Sequence, residues 1–277
     1  MAIGFSQTFN LERDLLASLL ELSRENPTFA RGEVMSRLGV GDNKAEAMVT
    51  WLGKLGLRNN NERKITDLGS LILTHDPRLE RITTMWLLHY QLASNTDAEV
   101  WYYLTNAFLP THSSFTVEKA VDFLVSVGIG NNALRHVRAD ASIFLRSFLS
   151  DKGLSRTDFI KPSGNVHPNM ARNTYQKNPP SNISPYIIAY VIYNQMASTM
   201  PNAVTVTIKE LLTENGNVGK VFSIGRSRLE SVLRDLSGIQ FGRLVDLSTT
   251  AGLDQVGLRF SGDPIDILEM GYESKAP

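Results

Sequence analysis

The first group of side chains able to do chemistry consists of cations and amides, which recognise phosphates and base edges. Lys and Arg pair with DNA phosphates, while Asn and Thr hydrogen-bond to base edges or phosphate oxygens. These residues lie between positions 43 and 64, namely Asn43, Lys44, Thr50, Lys54, Arg58, Arg63 and Lys64. We predict that they contact double-stranded DNA. Because Glu46 and Glu62 share the same predicted surface, a role in packing or protein contact alone stays open.

A second group follows near the C-terminal end of the sequence. Arg226, Ser227 and Arg234 fall on the exposed side of a predicted helix, where guanidinium groups suit guanine edges or phosphates. We predict DNA contact here as well. Glu230 and Asp235 lie within a helical turn of the arginines, so ion pairing within the helix is the open alternative.

A third group makes the middle of the sequence basic. Residues 126–180 hold eight Lys or Arg side chains against three acids. Four of these cations are predicted to contact phosphate or a partner protein: Arg135, Arg138, Arg172 and Lys177. The alternative is that residues 151–184, which are rich in Pro and Asn, only connect two domains.

No catalytic or metal-binding pattern accompanies these groups. The histidines are scattered, at His75, His89, His112, His136 and His167. No two of them have a spacing that places both imidazoles on one helix face. The sequence also has no G-x-x-x-x-G-K-S/T loop, no G-x-S-x-G elbow and no cysteine. It therefore predicts a protein that is not an enzyme and carries neither a metal nor a cofactor.

The elements that position the first group predict a winged helix-turn-helix over residues 1–75. Gly39 ends the first helix of the turn motif, since glycine adopts the left-handed backbone that closes a helix. Asp42 or Asn43 is predicted to cap the following helix. Apolar residues recur at helical spacing along that helix and predict its buried face: Ala45, Met48, Leu52 and Leu55. An amide-rich turn after residue 57 then predicts a hairpin wing.

The later segments complete a mainly α-helical fold. Residues 76–150 are predicted to form a helical middle domain, 151–184 a basic linker or loop, and 185–277 a second winged helix. In the second unit we predict a helix at 208–212 and a second helix that follows Ser223 and ends at Leu236, then strands at 244–247 and 256–260. The predicted architecture is two winged helix-turn-helix units with small β-hairpin wings, joined by a helical middle region.

Overall composition limits the class of protein. The chain has 277 residues, 42% of them hydrophobic, with 28 cationic and 28 acidic side chains. No apolar run has the 18 or more residues of a membrane span, and no signal peptide is evident, so we expect a cytoplasmic protein. A net charge of zero argues against strong nonspecific DNA binding and favours a protein-only adaptor.

Five short stretches resemble a known family. They are FSQTFNL at 5–11, RLGV at 37–40, TDLGSL at 66–71, TMWLLHYQ at 84–91, and Trp101-Tyr102. In these stretches the sequence resembles the bacterial DUF4007 family of unknown function, over most of its length and more weakly after about residue 150. The motifs consist mainly of core and turn residues, so no catalytic residue is carried over from the family.

The resemblance implies a biological context. Family members are encoded with sulfur-transfer proteins similar to phosphoadenosine-phosphosulfate reductases, in DNA phosphorothioation and phage-defence islands. The implied function is an accessory DNA-binding subunit that positions a modification enzyme or reports on modified DNA. A winged-helix transcriptional regulator and a protein-only scaffold without DNA contact are the alternatives. The oligomeric state is not predicted.

Overall fold

The structure, a computed structural model, describes residues 4–130, 133–248 and 254–274. It is mainly helical with small antiparallel sheets. The chain divides into two compact units, residues 1–178 and 179–277. This single boundary differs from the predicted boundaries at 75, 150 and 184.

The first unit begins with the predicted order of helices and hairpin. Its elements are α1 Arg13–Glu25, α2 Arg31–Leu38, α3 Asp42–Lys54, β1 Arg58–Asn59, β2 Lys64–Ile65 and α4 Asp67–His75. Gly39 takes a left-handed φ of 63° after α2, as predicted. The N-cap of α3 is Gly41, which has no side chain to accept a hydrogen bond, so the predicted cap at Asp42 or Asn43 is wrong.

Among its described residues, the remainder of the first unit contains four more α-helices, short 3-10 and π-helical turns, and a three-stranded sheet. The helices are α5 Ile82–Ser94, α6 Glu99–Tyr103, α7 Val117–Ser126 and α8 Leu134–Leu149. The strands are β3 Ser114–Phe115, β4 Ile160–Ser163 and β5 Thr174–Lys177, in the antiparallel order β3-β5-β4. The segment predicted as a linker therefore supplies two of these strands. Pro168 and Asn169 lie in the loop between these two strands, while Pro162 lies within β4.

One buried arginine shows why the first unit does not end at residue 75. Arg13 on α1 is only 8% exposed. Its guanidinium donates to the carbonyl oxygens of Leu79 at 2.6 Å, Asp151 at 2.7 Å and Gly153 at 2.5 Å. Burial lowers the pKa of Arg13, and the three carbonyls compensate for the lost hydration. The segments predicted as three separate regions thus share one polar anchor.

Aromatic side chains of the predicted middle domain fill the core of this unit. The ring of Trp51 on α3 lies 4.8 Å from that of Phe5 and 6.0 Å from that of Trp101. Trp101 in turn contacts Phe144 on α8, with ring centroids 4.9 Å apart. The helix predicted to face DNA is therefore packed against the middle helices.

The second unit has its own small core and sheet. Its elements are α9 Pro185–Thr199, β6 Thr205–Thr207, α10 Ile208–Thr213, α11 Val218–Val221, α12 Arg226–Leu236, β7 Val245–Ser248, β8 Gln255–Leu258 and α13 Pro264–Glu273. The strands pair antiparallel in the order β6-β8-β7. Residues 249–253, which connect β7 to β8 in the sequence and were predicted to be rich in turns, lie outside the described residues. The predicted helices and hairpin are present.

A buried carboxyl group on α8 predicts a pH dependence of stability. Asp140 is 7% exposed and accepts a hydrogen bond from the backbone N–H of Gly4 at 2.6 Å. Burial raises its pKa from 3.8 to about 6. Between these values the folded chain binds more protons than the unfolded chain, so the free energy of unfolding falls as pH rises through this window. The total loss from this group is on the order of 3 kcal/mol.

We expect Asp140→Asn to remove this dependence, because its amide oxygen still accepts the Gly4 N–H but does not titrate. The variant's stability relative to the parent should rise between pH 3.8 and about 6 and stay constant above it. Urea unfolding at several pH values measures this difference. Asp122→Asn, at an exposed position on α7, is the control. Parallel pH profiles for Asp140→Asn and the parent would contradict the assignment.

Candidate nucleic-acid interface

Two cations of α3 predicted to contact DNA are engaged within the protein. Lys44 Nζ lies 2.8 Å from Glu12 Oε1, and Lys54 Nζ donates to the carbonyl oxygen of Asp97 at 3.1 Å. Both lysine side chains are largely covered, with 25% and 18% exposed. They neutralise neighbouring acids and pack α3 against other elements, so the structure does not present them as free phosphate contacts.

The outer face of α3 carries acidic side chains instead. Asp42 and Glu46 are exposed there. Arg31 of α2 forms ion pairs with both carboxylates, and its Nη2 lies 3.0 Å from Glu46 Oε2. Asn43 is exposed as predicted, while Thr50 donates its hydroxyl to the Glu46 carbonyl oxygen at 3.0 Å. Ala47 of the same helix is completely buried. This face has no excess of positive charge to attract a phosphate backbone.

The hairpin after α3 keeps two of its three predicted cations at the surface. Arg58 is 5% exposed and donates to Asn60 Oδ1 and the Pro27 carbonyl oxygen, each at 2.8 Å. Its guanidinium lies 4.5 Å from the ring centre of Phe29, and burial lowers its pKa. Arg58, predicted to contact DNA, is thus buried, and both of its terminal guanidinium nitrogens donate within the protein. Arg63 and Lys64 are exposed.

The four predicted basic contacts of the middle region differ in exposure and in their partners. Arg135 and Arg138 lie on α8, and Arg138 pairs with Glu118 at 2.6 Å. Lys177 is half-buried and donates to the Leu109 carbonyl oxygen at 2.5 Å, and burial lowers its pKa. Arg172 lies near the tip of the β4–β5 hairpin and is exposed, as is Arg135. Arg135 and Arg172 are thus the exposed members without an ion pair among the described residues.

In the second unit, α12 presents a different surface. Its inner face is fully buried, as predicted, through Leu229, Val232, Leu233 and Leu236. Ser227, Ser231 and Arg234 lie on the opposite side at helical spacing. Arg226 lies at one edge of that side and pairs with Glu230 at 2.7 Å and Asp254 at 2.6 Å. For Arg226 the intrahelical alternative is therefore correct.

Arg228 is an exposed cation of α12 that the sequence analysis did not select. It lies two residues after Arg226, a spacing that places the two side chains on different sides of a helix. Neither Arg228 nor Arg234 has a side-chain hydrogen bond or ion pair within residues 4–130, 133–248 and 254–274. The Arg-Ser-Arg motif at the start of the helix is the sequence feature that could have identified Arg228.

A buried tyrosine fixes the hairpin that follows α12. Tyr193 of α9 accepts hydrogen bonds from the N–H groups of Arg259 at 2.9 Å and Phe260 at 3.0 Å, and donates to the Leu244 carbonyl oxygen. One hydroxyl group thus joins the start of β7 to the end of β8. Burial raises the pKa of Tyr193. The hairpin is therefore joined to α9 at both of its strands.

The described part of the chain offers no group of three or more His, Asp or Glu side chains arranged to hold a metal ion. Among the same residues, no helix combines the length and the hydropathy required to cross a bilayer.

Solved structures with the same fold are known. The chain matches the magnesium ion-bound crystal structure of SspB with a TM-score of 0.82 and 20% sequence identity, covering 98% of this chain and 88% of that one. A second SspB crystal structure matches with a TM-score of 0.80 and 19% identity, at the same coverage. No curated protein matches the sequence.

At this level of identity the two structures establish the fold alone. The family match is broader in sequence terms, because residues 6–272 match the family described as a protein of unknown function, DUF4007. That range extends through both units of the structure. The chain therefore belongs to the DUF4007 family.

Proposed function

We propose that the protein is a cytoplasmic, non-catalytic subunit that binds double-stranded DNA through α12. The observation that carries the proposal is the outward side of this helix, where Ser227, Ser231 and Arg234 lie opposite a fully buried apolar face. Arg228 adds a second cation beside them. Hydroxyl and guanidinium groups are the donors that phosphates and guanine edges accept.

The order of elements supports a winged-helix interpretation of the second unit. A helix and a strand precede α10, α11 and α12, and a two-stranded hairpin follows, with β6 added at its edge. In helix-turn-helix proteins the second helix of the motif lies in the major groove. We assign that role to α12 and place the β7–β8 hairpin beside it as the wing.

For the first unit we propose a winged helix that serves mainly in packing. Lys44 and Lys54 are occupied by Glu12 and Asp97, and α3 carries acidic groups outward. Its hairpin still offers Arg63 and Lys64 to a phosphate or an acidic partner. The first unit is therefore the candidate surface for a partner enzyme.

The family resemblance suggests the biological setting of this activity. We propose that the protein positions a sulfur-transfer or other defence-system enzyme on DNA during phosphorothioation-type modification. The neutral net charge and the internal ion pairs of α3 favour one alternative, a scaffold without DNA contact. Footprinting distinguishes a transcriptional regulator from the DNA-binding subunit and from the scaffold. A dimeric regulator protects two half-sites about one helical turn apart.

The proposal predicts that charge removal from α12 weakens DNA binding. We expect the double variant Arg228→Ala/Arg234→Ala to raise the Kd for a short duplex by about 10-fold to 100-fold, at about 1 kcal/mol or more per lost contact. Fluorescence anisotropy with a labelled duplex measures the change. The variant Arg24→Ala/Arg37→Ala removes the same charge from exposed positions of the first unit and should change Kd by less than about twofold.

Two further results bear on the proposal. Lys44→Ala/Lys54→Ala should also leave DNA affinity nearly unchanged, because both lysines are paired within the protein. Equal losses of affinity in all three double variants would show that binding follows total charge and not α12. Incubation with supercoiled plasmid and Mg²⁺ or Mn²⁺ is expected to leave the plasmid intact, and nicked circles would contradict the non-catalytic assignment.

A further inference from the structure

The tip of the β4–β5 hairpin, residues 164–173, is an exposed loop with a fixed conformation. Asn173 is 5% exposed at its base. Its Oδ1 accepts the backbone N–H of His167 at 2.7 Å, and its Nδ2 donates to the His167 carbonyl oxygen at 2.9 Å. Tyr175 adds a hydrogen bond from its hydroxyl to the Met170 carbonyl oxygen at 3.1 Å. The loop therefore holds His167 at the surface with its backbone fixed on both sides.

The imidazole of His167 has an assigned tautomer. The backbone N–H of Asn169 donates to His167 Nδ1 at 2.9 Å. A backbone N–H is only a donor, so Nδ1 is the acceptor and carries no proton. The neutral ring therefore has its proton on Nε2, which is the nitrogen directed away from the loop backbone.

The proton on His167 Nε2 faces a second hydrogen-bond donor, the guanidinium group of Arg172. Arg172 Nη1 lies 3.3 Å from His167 Nε2. Guanidinium nitrogens donate and do not accept, so two N–H donors approach each other without an acceptor between them. No carboxylate among the described residues hydrogen-bonds or pairs with either side chain. An oxygen with negative charge placed outside this pair satisfies both donors at once.

We propose that this His167–Arg172 pair binds a phosphodiester oxygen of duplex DNA. The surface that leads to the pair favours a polyanion over a single carboxylate. The exposed positions of β4 and β5 carry Lys161 opposite Gln176 and Ser163 opposite Thr174. This side of the hairpin thus consists of a cation, an amide and two hydroxyls, without an acidic side chain of its own strands. A nucleic-acid backbone following the hairpin meets donors along its whole length.

The His167–Arg172 site rests on the proposed DNA binding, but it lies in the first unit, whereas α12 lies in the second. Its success or failure is therefore measurable independently of α12. Arg172→Ala is expected to raise the Kd for a short duplex about fivefold and to reduce the salt slope by about 1. Arg24→Ala is the control, since it removes one charge from an exposed position of α1 in the same unit, outside the hairpin.

Nitrogen NMR of the full chain with ¹⁵N-labelled histidine tests the site directly. The chain has only five histidines, and His167→Gln identifies the relevant signals by their loss. We expect a neutral ring protonated at Nε2, whose Nε2 resonance shifts when a short duplex is added. The shift should persist in Arg24→Ala and in Arg228→Ala/Arg234→Ala at saturating DNA, and disappear in Arg172→Ala. Inorganic phosphate should give a smaller shift of the same resonance.

Each other outcome overturns the inference. A ring protonated at Nδ1 removes its basis. A shift with inorganic phosphate but not with DNA limits the site to small oxyanions. If DNA binds in an α12-dependent manner while His167 does not respond, the proposed function stands and the hairpin site is wrong. If a carboxylate-bearing peptide shifts the resonance and DNA does not, the surface is a protein contact.

Discussion

Replacing Arg13 with alanine is expected to lower the free energy of unfolding of the first unit by about 3–5 kcal/mol. The substitution leaves the carbonyl oxygens of Leu79, Asp151 and Gly153 without their charged donor in a buried site. An unsatisfied buried acceptor costs about 1–3 kcal/mol, so three of them account for a loss of this size.

Tryptophan fluorescence during urea unfolding measures this loss. Trp51, Trp86 and Trp101 all lie in the first unit, so the signal does not mix the two units. Arg24→Ala is the control, since it removes an exposed arginine from the same helix, 3.9 Å from Glu21. It should change stability by less than about 1 kcal/mol. If both variants show an equally small decrease in the free energy of unfolding, Arg13 does not join α1 to the later segments.

Trp51→Ala is the second substitution with a large expected effect, about 3–5 kcal/mol. The indole is completely buried, and its Nε1–H donates to the Phe9 carbonyl oxygen at 3.2 Å. Its removal opens a cavity between the rings of Phe5 and Trp101 and detaches α3 from the middle helices. The result distinguishes a packed α3 from one that faces solvent.

Urea unfolding followed by circular dichroism and by the remaining tryptophans measures this second loss. Leu134→Ala removes an apolar side chain that is 53% exposed, in the same unit, and should cost less than about 1 kcal/mol. Trp51→Phe should recover part of the stability because it keeps an aromatic ring at the site. A Trp51→Ala variant as stable as the Leu134→Ala variant would contradict the described packing.

Local patterns in the sequence were sufficient to predict most of the secondary structure. Gly39 ends α2 and Thr66 caps α4 by accepting the Gly69 N–H at 3.0 Å, because glycine conformation and side-chain capping depend on neighbours in sequence. The buried stripe of α12 follows equally from its 3.6-residue period. These features require no knowledge of distant segments.

The surface of α3 was not predictable in the same way. Lys44, Lys54 and Arg58 are removed from the surface by partners at Glu12, Asp97 and Pro27, each about 30 residues or more away in sequence. Helical periodicity indicates which side of a helix is apolar, but it does not identify a distant acid or carbonyl that receives a cation. Contacts between distant segments also explain why the first unit extends to residue 178 and does not end at residue 75, since the hydrogen bonds of Arg13 reach Gly153.

The candidate site on α12 was found in part. Ser227 and Arg234 were predicted from their place opposite the apolar stripe, and they are exposed. Arg226 was also predicted to contact DNA, but it pairs with Asp254, the residue directly before β8. The donor pair of His167 and Arg172 depends on a tautomer fixed by the loop backbone, which only three-dimensional structure provides.

The most direct measurement of DNA contact by α12 is the affinity of the full-length protein for a short duplex across a series of salt concentrations. We expect the logarithm of the association constant to fall linearly with the logarithm of salt, with a slope of about −0.9 for each phosphate contacted. In Arg228→Ala/Arg234→Ala the slope should become shallower by up to about 1.8. Absence of binding at low salt, or an unchanged slope in this variant, would contradict DNA recognition by α12.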